Sequence, residues 1–215
     1  MYYCDPYADK YQKLQGFEIT ILEKNNEKIP AYLSFEQSTR STYDIAMREA
    51  TIDGLVTMDN ISRLRSSQIF YKNLNPTELF IIQAVNKTEQ QKKSKNINAI
   101  KQNCFVTLLR KQYDEDKEEE IYKILYENII SFVSIQNKDE KNFAAGTEDN
   151  TNVSIQIPKK DIIGDFVYDV DNSDRIILED MNRDVSKQVK IESIDAFGVS
   201  GIIKIYGTFE TRTGR

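Results

Sequence analysis

Histidine and tryptophan are absent from the 215 residues, and only two cysteines, four prolines and eight glycines occur. The missing histidine excludes the most. Imidazole is the usual general base near neutral pH and the commonest metal ligand, so Ser–His–Asp and Cys–His catalysis and ordinary zinc sites are ruled out. Carboxylate, lysine or tyrosine chemistry stays open. Cys4 and Cys104 cannot build a disulfide framework, which points to a reducing compartment or indifference to redox. No apolar run approaches the roughly 20 residues of a membrane helix, and Met1 to Pro6 lacks the basic-then-apolar order of a signal peptide. A soluble protein made in the cytoplasm is expected. The net charge of −5 argues against a dedicated nucleic-acid binder, though not against a local basic patch. No Gly-rich phosphate loop, dinucleotide fingerprint or nucleophile elbow occurs.

What is present reads as strand after strand. Asp5-Pro6 could open a short helix through Lys13. Phe17 to Leu22 alternates with period two, Asn25 to Lys28 is turn material, and Ile29 to Phe35 resumes the alternation as a hairpin. Pro30 falls at the start of that second strand, where a missing donor is tolerated. Ser41 to Asp44 has capping-box spacing, and the segment before Glu49 reads equally as a helical turn or an extended link. Ala50 to Met58 is strand-like, with Gly54 marking a bulge. Gln68 to Tyr71 and Leu79 to Val85 flank a turn at Asn73 to Pro76. Asn86 to Asn98 is polar and lysine-rich, a loop or long hairpin tip, and Cys104 to Leu109 is a buried strand.

The charge block Asp114 to Glu120 separates two halves of similar character. Two domains are therefore expected, 1–113 and 114–215. In the second half Ile121 to Ile135 fits either a helical face or alternation. A polar loop from Asn137 to Asn152 follows, and Val153 to Pro158 alternates clearly. Asp165 to Val170, Asp174 to Leu178 and Gln188 to Ile194 read as short strands, and Gly198 to Gly201 turns into a strand at Ile202 to Phe209. The fold class expected is mainly β, with two small antiparallel barrels or sandwiches and few short helices.

Three clusters are candidates for chemistry. Asp169 to Asp174 concentrates oxygen ligands but lacks the glycine and distant glutamate of a calcium loop, so a polar turn is the plainer reading. Asp114-Glu115-Asp116 with Glu118-Glu119-Glu120 could supply paired carboxylates, but such pairs need a shaped cleft and a charge run is normally solvated. Lys92, Lys93 and Lys95 form a basic cluster that could touch a DNA backbone non-specifically, or a solvated tip. No catalytic residue, cofactor or metal is expected. Twelve tyrosines and ten phenylalanines suit β packing and interface anchors.

The order Ile19-Thr20-Ile21, Lys28 to Tyr32, a Ser/Thr-rich link, Leu79 to Gln83 and Asn103 to Leu108 resembles small virion proteins of tailed phages of Gram-positive bacteria. The second half is similar to stopper-like and minor structural proteins of their neck and head–tail joining clusters. It carries Ile121-Tyr122, Tyr126 to Asn128, Val153 to Pro158, Gly164-Asp165, Val189 to Asp195 and Gly198. It departs from them after Gly164-Asp165, where Phe166 to Tyr168 leads into an acidic loop and a further strand. The resemblance implies a non-catalytic connector, stopper or neck component located in the virion. Its implied partners are copies of itself in a ring, neighbouring portal, adaptor or tail proteins, and channel DNA touched non-specifically, with no membrane. The rivals are a β-rich binding module, such as a phage-encoded inhibitor or carbohydrate-binding appendage, and a carboxylate enzyme such as a glycan hydrolase.

Overall fold

A computed structural model describes residues 16–23, 27–35, 50–86, 94–115, 118–136, 152–161 and 166–210. The expected N-terminal helix, the segment before Glu49, Lys92 and Lys93, Asp116, most of the Asn137 to Asn152 loop, and Gly164-Asp165 lie outside them. Among the described residues there are twelve strands and a single 3-10 turn at Ile61–Arg63. The mainly β architecture expected from the alternation is what the chain adopts.

The first unit holds β1 (Gly16–Leu22), β2 (Lys28–Phe35), β3 (Thr51–Thr57), β4 (Ile69–Lys72), β5 (Asn75–Val85) and β6 (Ser94–Lys101). They close antiparallel in the order β1-β2-β3-β6-β5-β4. Alternation explains the closure. Ile19 and Ile21 of β1, and Ile52 and Val56 of β3, point inward together with Phe70, Phe80, Ile82 and Ile97. Each such side chain contributes about 1.5–3 kcal/mol through burial, and closing the sheet removes most exposed strand edges.

The second unit holds β7 (Cys104–Asp114), β8 (Glu119–Gln136), β9 (Asn152–Pro158), β10 (Arg175–Asp180), β11 (Ser186–Asp195) and β12 (Ile202–Phe209). Its order is β10-β11-β12-β9-β8-β7, again closed. Val106, Leu108, Ile129, Ile155, Ile176, Val189 and Ile205 fill it.

Several expectations are corrected. The division falls between Gln102 and Asn103, and Lys160–Val167 and Val199–Gly201 group with the first unit. The charge block is no linker, because Asp114 pairs with Glu119 across the β7–β8 hairpin. Gly54 marks no bulge: its pairing with both neighbours runs without a shift. A Cβ there would lie 2.6 Å from the Ser34 carbonyl oxygen, so close approach of β2 explains the glycine. Residues 94–98 are strand rather than loop, since they pair residue for residue with Asp53 to Thr57 of β3. Of the strand expected at Asp165 to Val170, the described residues 166–170 form no strand and make one isolated bridge, Lys160 to Val167. The ambiguous 121–135 segment is strand throughout.

Candidate interaction surface

Strand β8 outruns the barrel to which it belongs. β10 pairs β7 only over Cys104 to Leu109, and β9 pairs β8 only over Phe132 to Gln136. From Arg110 to Asp114, and from Glu119 to Ser131, the two strands have each other as their only strand partner among the described residues. The result is a two-stranded ribbon with an open β8 edge. Its outer rungs, Leu109–Ile124 to Asp114–Glu119, run in unbroken register. Nearer the barrel the register shifts on both sides of Leu108, and Asn128 takes a φ of 59°, a conformation an asparagine tolerates. Arg183 donates to Asn128 Oδ1 at 2.6 Å and holds that irregular point.

One ribbon face is largely aromatic and apolar. Tyr113 and Ile124 are each 62% exposed and share this face with Tyr122. Arg175 lies over the Tyr122 ring and pairs with Glu210 at 2.6 Å. Lys111 and Glu120, on the same face, form an ion pair across the strands. The other face carries charge in order: Asp114 opposite Glu119 towards the tip, Gln112 opposite Ile121, then Arg110 opposite Lys123.

The ribbon's base is pinned. Arg110 donates from Nε and one terminal nitrogen to both oxygens of Asp174, at 2.9 and 2.8 Å. Its other terminal nitrogen reaches Asp169 Oδ2 at 2.7 Å. Asp174 is fully buried, and the fork satisfies it together with the Asp171 amide at 2.8 Å. The bonds from Asp174, then those from Asp169, push the guanidinium pKa further up. Asp171 is held below its ordinary value by the amide and hydroxyl of Ser173. The Asp169 to Asp174 cluster is thus a structural turn around an arginine, as its plainer reading has it. No group of carboxylates or cysteines arranged to hold a metal occurs among the described residues.

Of the three lysines expected to touch DNA, Lys92 and Lys93 lie outside the described residues. Lys95 stands half-buried on β6 opposite Val56 rather than on a loop tip. Cys104 is buried, and its thiol donates to the Glu179 carbonyl at 2.8 Å. Burial pushes its pKa up to about 11, so it is no nucleophile at neutral pH.

A further exposed feature escaped notice in the sequence. Phe197 is 93% exposed at the β11–β12 connection. Asp195 Oδ1 accepts the Gly198 and Phe197 amides at 2.8 and 3.0 Å, which lowers the carboxyl pKa and fixes the turn. Lys159 lies over the ring and donates to the Ala196 carbonyl. The ribbon also escaped notice, although the alternation of Tyr122, Ile124 and Tyr126 beyond the charge run was its visible signal. No family model, curated protein or solved structure matches this chain.

Proposed function

We propose that this protein is a non-catalytic structural component that works by assembling with other protein chains. The observation that carries this reading is the ribbon: an open β8 edge beside exposed Tyr113, Tyr122 and Ile124. Natural proteins close, shorten or blunt strand edges unless the edge has a partner. The sequence contains no histidine, and the strongest charge clusters, around Arg110 and around Arg63, are joined internally. At the finer level, the resemblance in strand order supports a head–tail joining role in a tailed-phage virion, as a connector, stopper or neck piece in a homo-oligomeric ring. Portal, adaptor or tail proteins would then be its neighbours. The particle would be its location and the host cytoplasm its place of synthesis.

Electron microscopy of the purified full chain, with detection of the protein in purified particles, tests this. Closed rings and a fixed position at the neck are expected. A strictly monomeric protein missing from particles would overturn it.

A further inference from the structure

The open edge of β8 is self-complementary. Glu119, Ile121 and Lys123 lie at successive positions on one ribbon face, acid then apolar then base. Within the ribbon this order is matched like to like. Glu119 faces Asp114 and Lys123 faces Arg110, an arrangement that destabilises a cross-strand pair. Arg110 is already committed to Asp174 and Asp169. Glu119 and Lys123 form no ion pair with any described residue. An antiparallel copy changes this. Strands related by a two-fold axis through the sheet place residues of the same face opposite one another. Centred on Ile121, that register sets Ile121 against its own copy and puts each Glu119 opposite a Lys123.

We propose that two copies of this chain pair edge to edge through antiparallel β8 strands centred on Ile121, with two Glu119–Lys123 ion pairs flanking the centre. The contrast with β2 supports an edge meant for use. The half of β2 that pairs with β1 alone carries Pro30, which cannot donate to an added strand. In β8 the outer edge from Glu119 to Lys123 has no proline, and its register with β7 is unbroken. Tyr122 would face Glu120 of the copy on the opposite side of the ribbon. The inference deepens the assembly reading and rests on it for its purpose only. A two-fold contact closes on itself, so it yields pairs, and a ring needs a second, different contact.

Charge reversal with rescue is the test, read by sedimentation of the full chain over a concentration series. The wild type forms dimers. Glu119→Lys or Lys123→Glu alone should weaken the dimer by about tenfold or more in dissociation constant, because each places like charges opposite one another twice. The double variant should return to about the wild-type value, since the swapped pairs attract again. Circular dichroism checks that each variant is folded. In a Cys4→Ser background, Ile121→Cys should cross-link to itself under mild oxidation, as directly opposed strand residues can. Lys123→Cys should not. A wild type that stays monomeric, a double variant without rescue, or no Ile121→Cys cross-link overturns the pairing. Rings without that cross-link would overturn the pairing yet leave the assembly reading standing. Cross-linked pairs in a protein absent from particles would keep the pairing and overturn the virion role.

Discussion

The two barrels share a connectivity strand for strand, and they differ in what each does with its first hairpin. In both, strands one to three run side by side, the sixth closes on the third, and the fourth returns to the first. Both even interrupt the register on the fifth strand where it meets the sixth, between Ile82 and Ala84 in one and between Ile191 and Ser193 in the other. Both tie the connection before the fourth strand to the first hairpin with an arginine fork, but with the polarity reversed. In the first unit Arg63 sits on the connection and reaches Glu23 and Glu27 at 2.6 Å. In the second the arginine, Arg110, is on the strand and the acids are on the connection. The first hairpin of the first barrel is short, with Pro30 in its open half. That of the second extends into an unblunted ribbon. One scaffold, used twice, carries a guarded edge in one copy and an exposed edge in the other.

The comparison can be broken first in the cores. Phe70, stacked on Phe80, and Leu108 are both fully buried. Phe70→Ala should cost about 3–5 kcal/mol and Leu108→Ala about 2–5 kcal/mol in urea unfolding, from lost burial plus the cavity left behind. If one of the two were near neutral, the barrels would not be equivalent structures.

The forks should separate the barrels next. Asp174→Ala removes a fully buried partner, takes two of Arg110's bonds and the Asp171 amide's bond with it and leaves Arg110 only Asp169, so a loss of about 3 kcal/mol is expected. Glu23→Ala leaves Arg63 its bond to Glu27 near solvent and Gln68 Nε2 its bond to the Arg63 carbonyl, so about 1 kcal/mol is expected, from the one bond that Gln68 loses. Equal losses in the same unfolding assay would contradict the different burial of the two forks.

Acid should produce a smaller, shared effect. Glu27 is held below its ordinary value of 4.5 by the Arg63 bond, and Asp171 below 3.8 by Ser173. A lowered folded pKa means stability present above the ordinary value and lost as pH falls through the folded one. Thermal midpoints should therefore drop as pH is lowered from about 5 to 2. Glu27→Gln or Asp171→Asn should each flatten part of that slope. An unchanged slope in both variants would rule these two carboxylates out as contributors.

The smallest effect concerns Cys104. With its thiol pKa pushed up to about 11 and its Sγ bonded inside the second barrel, it should resist alkylation at neutral pH. In urea it should react as an ordinary cysteine, and mass spectrometry reads both states.

Much of the fold was legible because half-buried strands announce themselves. Ile19 and Ile21 flank Thr20, Val153, Ile155 and Ile157 alternate with Ser154 and Gln156, and the structure buries those five apolar residues. Gly54 misled because a glycine that admits a neighbouring backbone and one that marks a bulge look alike in sequence. The charge block at Asp114 misled for a related reason. A linker and a solvated hairpin tip are both polar, and only the pairing of Asp114 with Glu119 tells them apart. The open edge was hidden because strand length is visible in a sequence but strand neighbours are not. The Glu119, Ile121 and Lys123 pattern acquires meaning only once the segment is known to be a strand with one side unpaired. The arginine forks were beyond reach too, since Arg110 and Asp174 meet across 64 positions of chain.

Hydrogen exchange of the full chain, followed by mass spectrometry as protein concentration rises, tests most directly that β8 is the edge through which this protein assembles. Peptides spanning 119–125 should gain protection as the protein associates, while those spanning the open half of β2 around Pro30 should not change. Association that leaves 119–125 unprotected, or that protects β2 instead, would contradict the account.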